Sequence, residues 1–109
     1  MATTYKVLGQ SNPSATTDTS LYTVPAATEA IISTITVCNQ AATAGTYRIA
    51  VRPDGASIAK QHYVAYDVSL PGNASDTLTL GITVDATDVI TVYASSTDFS
   101  FNAYGSEIA

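Results

Sequence analysis

Residues 23–40 read "TVPAATEAIISTITVCNQ". From Glu29 onward apolar and small polar residues alternate, and a period of two marks a strand with one buried face. Ile31, Ile35 and Val37 fall on one side with Ser33 among them. Ile32, Thr34, Thr36 and Cys38 fall on the other. Pro25 has no N–H for a ladder, so it breaks the preceding run and guards an exposed edge. The stretch therefore reads as the end of one strand, a proline-marked turn, and a long core strand.

The same period continues outward from it. In "YRIAVRP" at 47–53, Tyr47, Ile49 and Val51 face one way, and Arg48, Ala50 and Arg52 face the other, giving one dry and one wet face. "YVAYDVSL" at 63–70 sets Val64, Tyr66, Val68 and Leu70 against Ala65, Asp67 and Ser69. Leu78, Leu80, Ile82 and Val84 alternate with Thr79, Gly81 and Thr83 as one further run. Ile90 and Val92 lie between Thr91 and Tyr93, and Phe99, Phe101 and Ala103 alternate with Ser100 and Asn102. Two weaker runs span Tyr5–Leu8 and Leu21–Val24. Turn residues separate the runs: "SNPSATTD" at 11–18, "RPDGAS" at 52–57, "LPGNASD" at 70–76 and "VDATD" at 84–88. No helical period is sustained, and the strands are too closely spaced for βαβ units. The expectation is an all-β fold, a single antiparallel β-sandwich domain over residues 1–109, jelly-roll-like, with about eight strands.

Charged residues make up 12% of the chain, about half the usual ~25%. Thr, Ser, Ala and Asn take their place, which suits a neutral surface laid against other protein and equally suits a plain Thr-rich β domain. The net charge is −5 with four Lys and Arg in all, so nucleic acid and anionic membrane surfaces are disfavoured partners. No apolar run approaches the ~20 residues of a spanning helix. "MATTYKVLGQ" lacks the apolar centre of a signal peptide, and the expectation is a protein made and assembled in a cytoplasm.

Residues suited to chemistry are few. Cys38 is the lone cysteine, has no cationic neighbour in its run, and reads as a structural thiol. His62 is the lone histidine, with no ligand partners at metal spacing and no G-x-S-x-G elbow elsewhere. Asp54, Asp85 and Asp88 sit in turns, where capping is the expected role. No catalytic, metal or cofactor residue is assigned, and no cofactor is expected. Tyrosine is the oddity, with seven against two Phe and no Trp. Its large ring and polar tip suit interfaces. Tyr63 and Tyr93 oppose the main apolar sets of their strands, so they face a partner unless those strands are buried on both sides. Arg48 and Arg52 either meet carboxylates on a partner or keep a wet face soluble. Beyond Ala103 the alternation changes. Gly105 loosens the backbone there, while Tyr104 and Ile108 anchor the tail across a strand edge, onto a neighbouring subunit, or into the protein's own sandwich.

Five blocks carry a resemblance: "YKVLGQ" at 5–10, "LYTVPAATEAIISTITVCN" at 21–39, "YRIAVRPDGA" at 47–56, "HYVAYDVSLPGN" at 62–73 and "DVITVYASSTDFSFNAYGSEI" at 88–108. Across nearly its whole length the chain resembles a group of small all-β virion proteins of tailed bacteriophages. The blocks are structural, and no functional residue is carried over from the group. The resemblance implies a non-enzymatic particle component located in the virion and assembled in the host bacterial cytoplasm. Its partners would be the major capsid protein or other virion proteins, and it would form a homo-oligomer, a dimer or trimer. A capsid decoration or cement protein is the first reading; a tail, neck or fibre-associated adaptor is the second. A carbohydrate-binding module using exposed tyrosines is a third, opposed by the absence of Trp. A glycosidase is the enzymatic alternative, and no sequence feature points to its acid pair.

Overall fold

The computed structural model describes residues 2–109. Among them are nine strands: β1 (Thr3–Ser11), β2 (Thr19–Thr23), β3 (Glu29–Asn39), β4 (Gly45–Arg52), β5 (Tyr63–Leu70), β6 (Ala74–Leu78), β7 (Ile82–Val84), β8 (Val89–Ala94) and β9 (Phe99–Ile108). The helical residues described are two single 3-10 turns, Pro53–Gly55 and Lys60–His62. Sheet I has the order β1-β9-β3-β6, with β7 also paired to β3, and sheet II has the order β2-β8-β4-β5. Every pairing is antiparallel. The chain is an all-β protein of two packed antiparallel sheets, as the alternation predicts.

The inward faces meet in one core. Ile32, Ile35, Val37, Phe99 and Phe101 come from sheet I, and Tyr47, Ile49, Ile90 and Val92 from sheet II. Tyr47 packs edge-on against Phe101 with ring centroids 6.2 Å apart. Each large side chain buried this way contributes about 1.5–3 kcal/mol. Two core tyrosines also tie the sheets together through their hydroxyls. Tyr22 of β2 donates to Glu107 Oε2 of β9, and Tyr47 of β4 donates to Asp76 Oδ2 of β6 at 2.9 Å. A buried ring whose oxygen reaches a carboxylate satisfies both of its halves. At one end of the sandwich Asn39 is fully buried. Its amide donates to the carbonyls of Thr43 and Leu70 at 3.0 and 3.2 Å, and its Oδ1 accepts from the Ala41 N–H at 3.0 Å.

The structure departs from the sequence reading at four places. In β3 the register against β9 shifts between Ile32 and Thr34, with Ser33 as the extra residue. A one-residue bulge reverses which face each side chain takes. Ile32 is therefore buried with Ile35 and Val37, and Ile31 is exposed, the reverse of the reading from period two. In β5 the register against β4 shifts twice, and Asp67 takes a left-handed φ of 48°. Val64 and Tyr66, expected inward with Val68 and Leu70, are exposed. The run from Leu78 to Val84 is two strands, β6 and β7, separated around Gly81 at a φ of 62°. β6 begins at Ala74, inside the segment read as a turn.

The fourth place is the C-terminus. β9 does not end near Ala103 but runs to Ile108, paired with β1 on one side and β3 on the other. Its last residues are thus the middle of sheet I, so the tail is not an arm free to dock elsewhere. Gly105 has a different role from loosening the chain. A Cβ there would collide with the Ile31 carbonyl oxygen, so glycine lets β9 and β3 close at the Ser33 bulge. The terminal pairing extends to Ala2 and Ala109, which exchange hydrogen bonds of 2.7 and 2.9 Å.

Candidate functional site

The seven tyrosines fall into three groups. Tyr22 and Tyr47 point inward and bridge the sheets, as described above. Tyr63, Tyr66 and Tyr93 lie on the outer face of sheet II. Tyr5 and Tyr104 lie on the outer face of sheet I. The two outer faces are the candidate surfaces for function.

On sheet II, Arg48 of β4 is the centre. Its guanidinium carbon lies 4.1 Å from the Tyr93 ring centroid and 4.4 Å from that of Tyr66. Its Nε donates to Asp67 Oδ1 at 2.6 Å. The β5 bulges produce this arrangement, because they turn both Tyr66 and Asp67 outward beside Arg48. The hydrogen bond to Asp67 holds the guanidinium above its ordinary pKa; partial burial acts in the opposite direction. Tyr63 packs edge-on to Tyr66 with centroids 4.8 Å apart, and a shallow hollow beside them is lined by Lys60. Arg48, Tyr63 and Tyr93, singled out from the sequence, are thus brought into one cluster. Tyr66 completes it, and strict alternation hid that residue by assigning it to the core. Arg52 is on the same strand but turned to a different task. Its Nε donates to Thr91 Oγ1 at 2.9 Å, and its Nη1 donates to the Ala56 carbonyl at 3.1 Å, pinning the loop after β4.

Sheet I presents a different face. Residues paired across its strands point the same way, so they form rows. Tyr5, Ser106, Ile31 and Thr83 make one row. Val7, Tyr104 and Thr34 make the next, and Gln10, Asn102, Thr36 and Thr77 the one after. The outermost rows are Thr3, Ile108 and Glu29 at one end, and Ser100, Cys38 and Ser75 at the other. Glu29 is the single charge on these rows, and it sits at the rim. Within them Tyr5 is 83% exposed, Val7 49%, Ile31 39% and Tyr104 37%. A shallow hollow joins these four and is lined also by Lys6, Ser33, Gly105 and Ser106, with Lys6 paired to Glu107 at 2.9 Å. Tyr104 stands between two bulges, Leu8 in β1 and Ser33 in β3, and Ser33 Oγ donates to the Tyr104 carbonyl at 3.0 Å. Of the two tail residues singled out from the sequence, Tyr104 is at the middle of this face and Ile108, half-buried, at its end. Tyr5, Val7 and Ile31 were missed. A signal for Ile31 was present: adjacent isoleucines in a strand cannot both point inward.

Two further titratable side chains, Asp88 and His62, serve the backbone. The Asp88 carboxylate accepts from the N–H groups of Asp54 and Asp85, both at 2.8 Å, and holds two turns together. His62 Nδ1 accepts from the Ala59 N–H at 3.0 Å and closes a 3-10 turn. Cys38 is half-buried on the outer face of sheet I. Glu107 is held below the ordinary carboxylate range, first by the Tyr22 hydroxyl and then by Lys6, 2.9 Å away. Burial and this carboxylate push the Tyr22 hydroxyl well above its usual value. Among the described residues no helix is long and apolar enough to cross a membrane. Flat faces of this composition are suited to contact with other protein surfaces, through tyrosine rings, methyl groups and hydroxyls. No protein-family model and no curated protein sequence matches the chain.

Proposed function

We propose that the protein is a non-enzymatic structural component of a tailed-bacteriophage virion, a decoration or cement protein that stabilises the capsid shell by protein–protein contacts. The observation that carries the contact role is the outer face of sheet I, with Tyr5, Val7, Ile31 and Tyr104 exposed, Glu29 the one charge on its rows, at the rim, and Lys6 beside the hollow paired with Glu107. Depletion of charge with exposed tyrosine is the compositional sign of an interface centre. The virion setting rests on the resemblance of the five sequence blocks. The strand order, β1-β9-β3-β6 opposite β2-β8-β4-β5, is compatible with a jelly roll, an architecture found in viral capsid domains and also in lectins and cupins. Such a protein acts by mass action: binding the assembled shell and not its free subunits stabilises the shell. On sheet II Arg48 covers one face of Tyr66 and one of Tyr93, which weighs against sugar stacking on those faces.

Quantitative mass spectrometry of purified particles tests this. Hundreds of copies per particle are expected. About a dozen or fewer would assign the protein to a tail or neck ring instead. Absence from particles would overturn the proposal.

A further inference from the structure

We propose that the outer face of sheet I binds a second copy of this chain, forming a twofold dimer whose axis lies along the Val7–Tyr104–Thr34 row. This rests on the reading of that face as a contact surface and names its occupant.

Charge is the first argument. The chain carries a net charge of −5, so two copies repel wherever their charged surfaces meet. In a twofold contact each patch faces itself, and a charged patch would oppose its own sign. The outer face of sheet I avoids this. The side chains on its rows are Thr, Ser, Asn, Gln, Tyr, Val, Ile and Cys, with Glu29 alone charged; Lys6, which lines the hollow from the neighbouring register position, is already paired with Glu107 at 2.9 Å. The Val7–Tyr104 row is the middle one of the five. A twofold axis along it places the Glu29 row over the partner's Ser100–Cys38 row. The face runs about 26 Å between those rows at about 3.3 Å per residue, so the two Glu29 carboxylates lie at opposite ends.

Area is the second argument. Four strands about 4.8 Å apart over that length cover about 500 Å² per copy, or about 1,000 Å² in total. This is the size of a weak, reversible interface, just below the range of stable ones. It predicts a dimer with Kd in the micromolar range, about 1–100 µM. Shape agrees, since face-to-face packing at about 10 Å is how β-sheets bury their side chains. Val7 and Tyr104, on the axis, meet their own counterparts at the centre, where binding energy concentrates.

The axis makes the test specific, because a residue on it meets itself. Sedimentation equilibrium of the full chain should show monomer–dimer exchange in the micromolar range. Val7→Glu and Val7→Lys should each raise Kd more than about tenfold by opposing like charges. Mixed in equal amounts, the two variants should associate with each other at least as well as the wild type does. Val7 is half exposed, and an unchanged melting temperature will show that the variants fold. A wild-type dimer insensitive to both variants would overturn the inference. So would a wild-type chain monomeric to about 1 mM. If that monomer still binds particles and Val7→Lys abolishes binding, the face belongs to the shell and only the dimer is wrong. If it neither dimerises nor binds particles, the contact reading of the face falls with it.

Discussion

On the outer face of sheet II, Tyr66 and Tyr93 enclose Arg48, and Asp67 neutralises it. On the outer face of sheet I, Tyr5 and Tyr104 flank a hollow whose one charged lining residue, Lys6, is paired with Glu107. Both faces expose tyrosine, and both owe their shape to bulges. The difference lies in what the bulges bring together. In β5 they deliver a carboxylate and a ring to a waiting cation, so the cluster satisfies itself. In β1 and β3 they flank Tyr104 and turn Ile31 outward, leaving apolar surface without a partner. Exposed aromatic residues are therefore not equivalent signals of binding. The informative question is whether the protein already supplies what would stack on them.

The most severe way to break this comparison is to remove the strand beneath the open face. Deleting residues 105–109 strips β9 of its pairing with Thr3–Lys6 and with Glu29–Ile32, and removes the Tyr22–Glu107–Lys6 contact between sheets. Several backbone hydrogen bonds at about 0.5–1.5 kcal/mol each are lost with partly buried apolar area. The expected loss is at least about 4 kcal/mol, much of the stability of a small domain. Circular dichroism melting should show a greatly lowered or absent transition. A truncated protein that melts normally would mean that the tail is an arm after all.

A smaller effect is expected from the carboxylate that joins the two sheets. The pKa of Glu107 is depressed in the folded protein, so its contribution is present above the unfolded value of about 4.3 and lost as pH falls through the lower folded value. Glu107→Gln should cost about 1.5–3 kcal/mol at pH 7, the scale of a hydrogen bond to an ionised group. It should also flatten the decline in the urea midpoint below about pH 4. An unchanged slope would show that the Tyr22–Glu107 bond does not couple the faces.

Converting the closed face into an open one is the direct test. Arg48→Ala frees the ring faces of Tyr66, already 57% exposed, and Tyr93, and leaves Asp67 unpaired. Cation–π contacts at exposed sites are worth about 0.5–1 kcal/mol and exposed ion pairs no more, so a loss of about 1 kcal/mol is expected. The sharper readout is a gain of binding to a hydrophobic dye relative to the wild type. No gain would mean that Arg48 does not mask the rings.

Most of the architecture was legible from alternation, because a period of two is imposed by the pleat wherever one face is dry. Phe99, Phe101, Ile49 and Val92 are buried where that rule puts them. The misreadings share one physical origin. A bulge adds a residue without any change in composition, and every side chain beyond it changes face. Ile31, Val64 and Tyr66 were misassigned for this reason, and they are the residues that make the outer faces what they are. Gly105 was misread differently. Its need for glycine comes from a strand that lies far away in sequence, and no local pattern shows it. Arg48 was recognised as outward, but its partners Asp67 and Tyr93 are fixed only by the pairing of β4 with β5 and β8.

The mildest prediction compares one tyrosine from each face. Tyr66→Thr and Tyr104→Thr both replace a ring with a residue that favours strands, so backbone preference is held nearly constant. Tyr66 touches Arg48 and the edge of Tyr63, and its loss should lower the melting temperature by about 3–6 °C, equivalent to about 0.5–1 kcal/mol. Tyr104 contributes its backbone to the middle of sheet I whatever its side chain, and its ring lies on the open face. Its substitution should move the melting temperature of a dilute sample by less than about 3 °C. At high protein concentration the order should reverse. A chain that associates through sheet I gains stability with concentration, and the gain is lost when the contact is removed. Wild type and Tyr66→Thr should therefore melt higher as concentration rises, while Tyr104→Thr should not. If Tyr104→Thr proves the more destabilising in dilute solution, the ring is packed within the monomer and the face is not open. If all three proteins respond to concentration alike, association uses some other surface, and the contrast between the two faces has no consequence for binding.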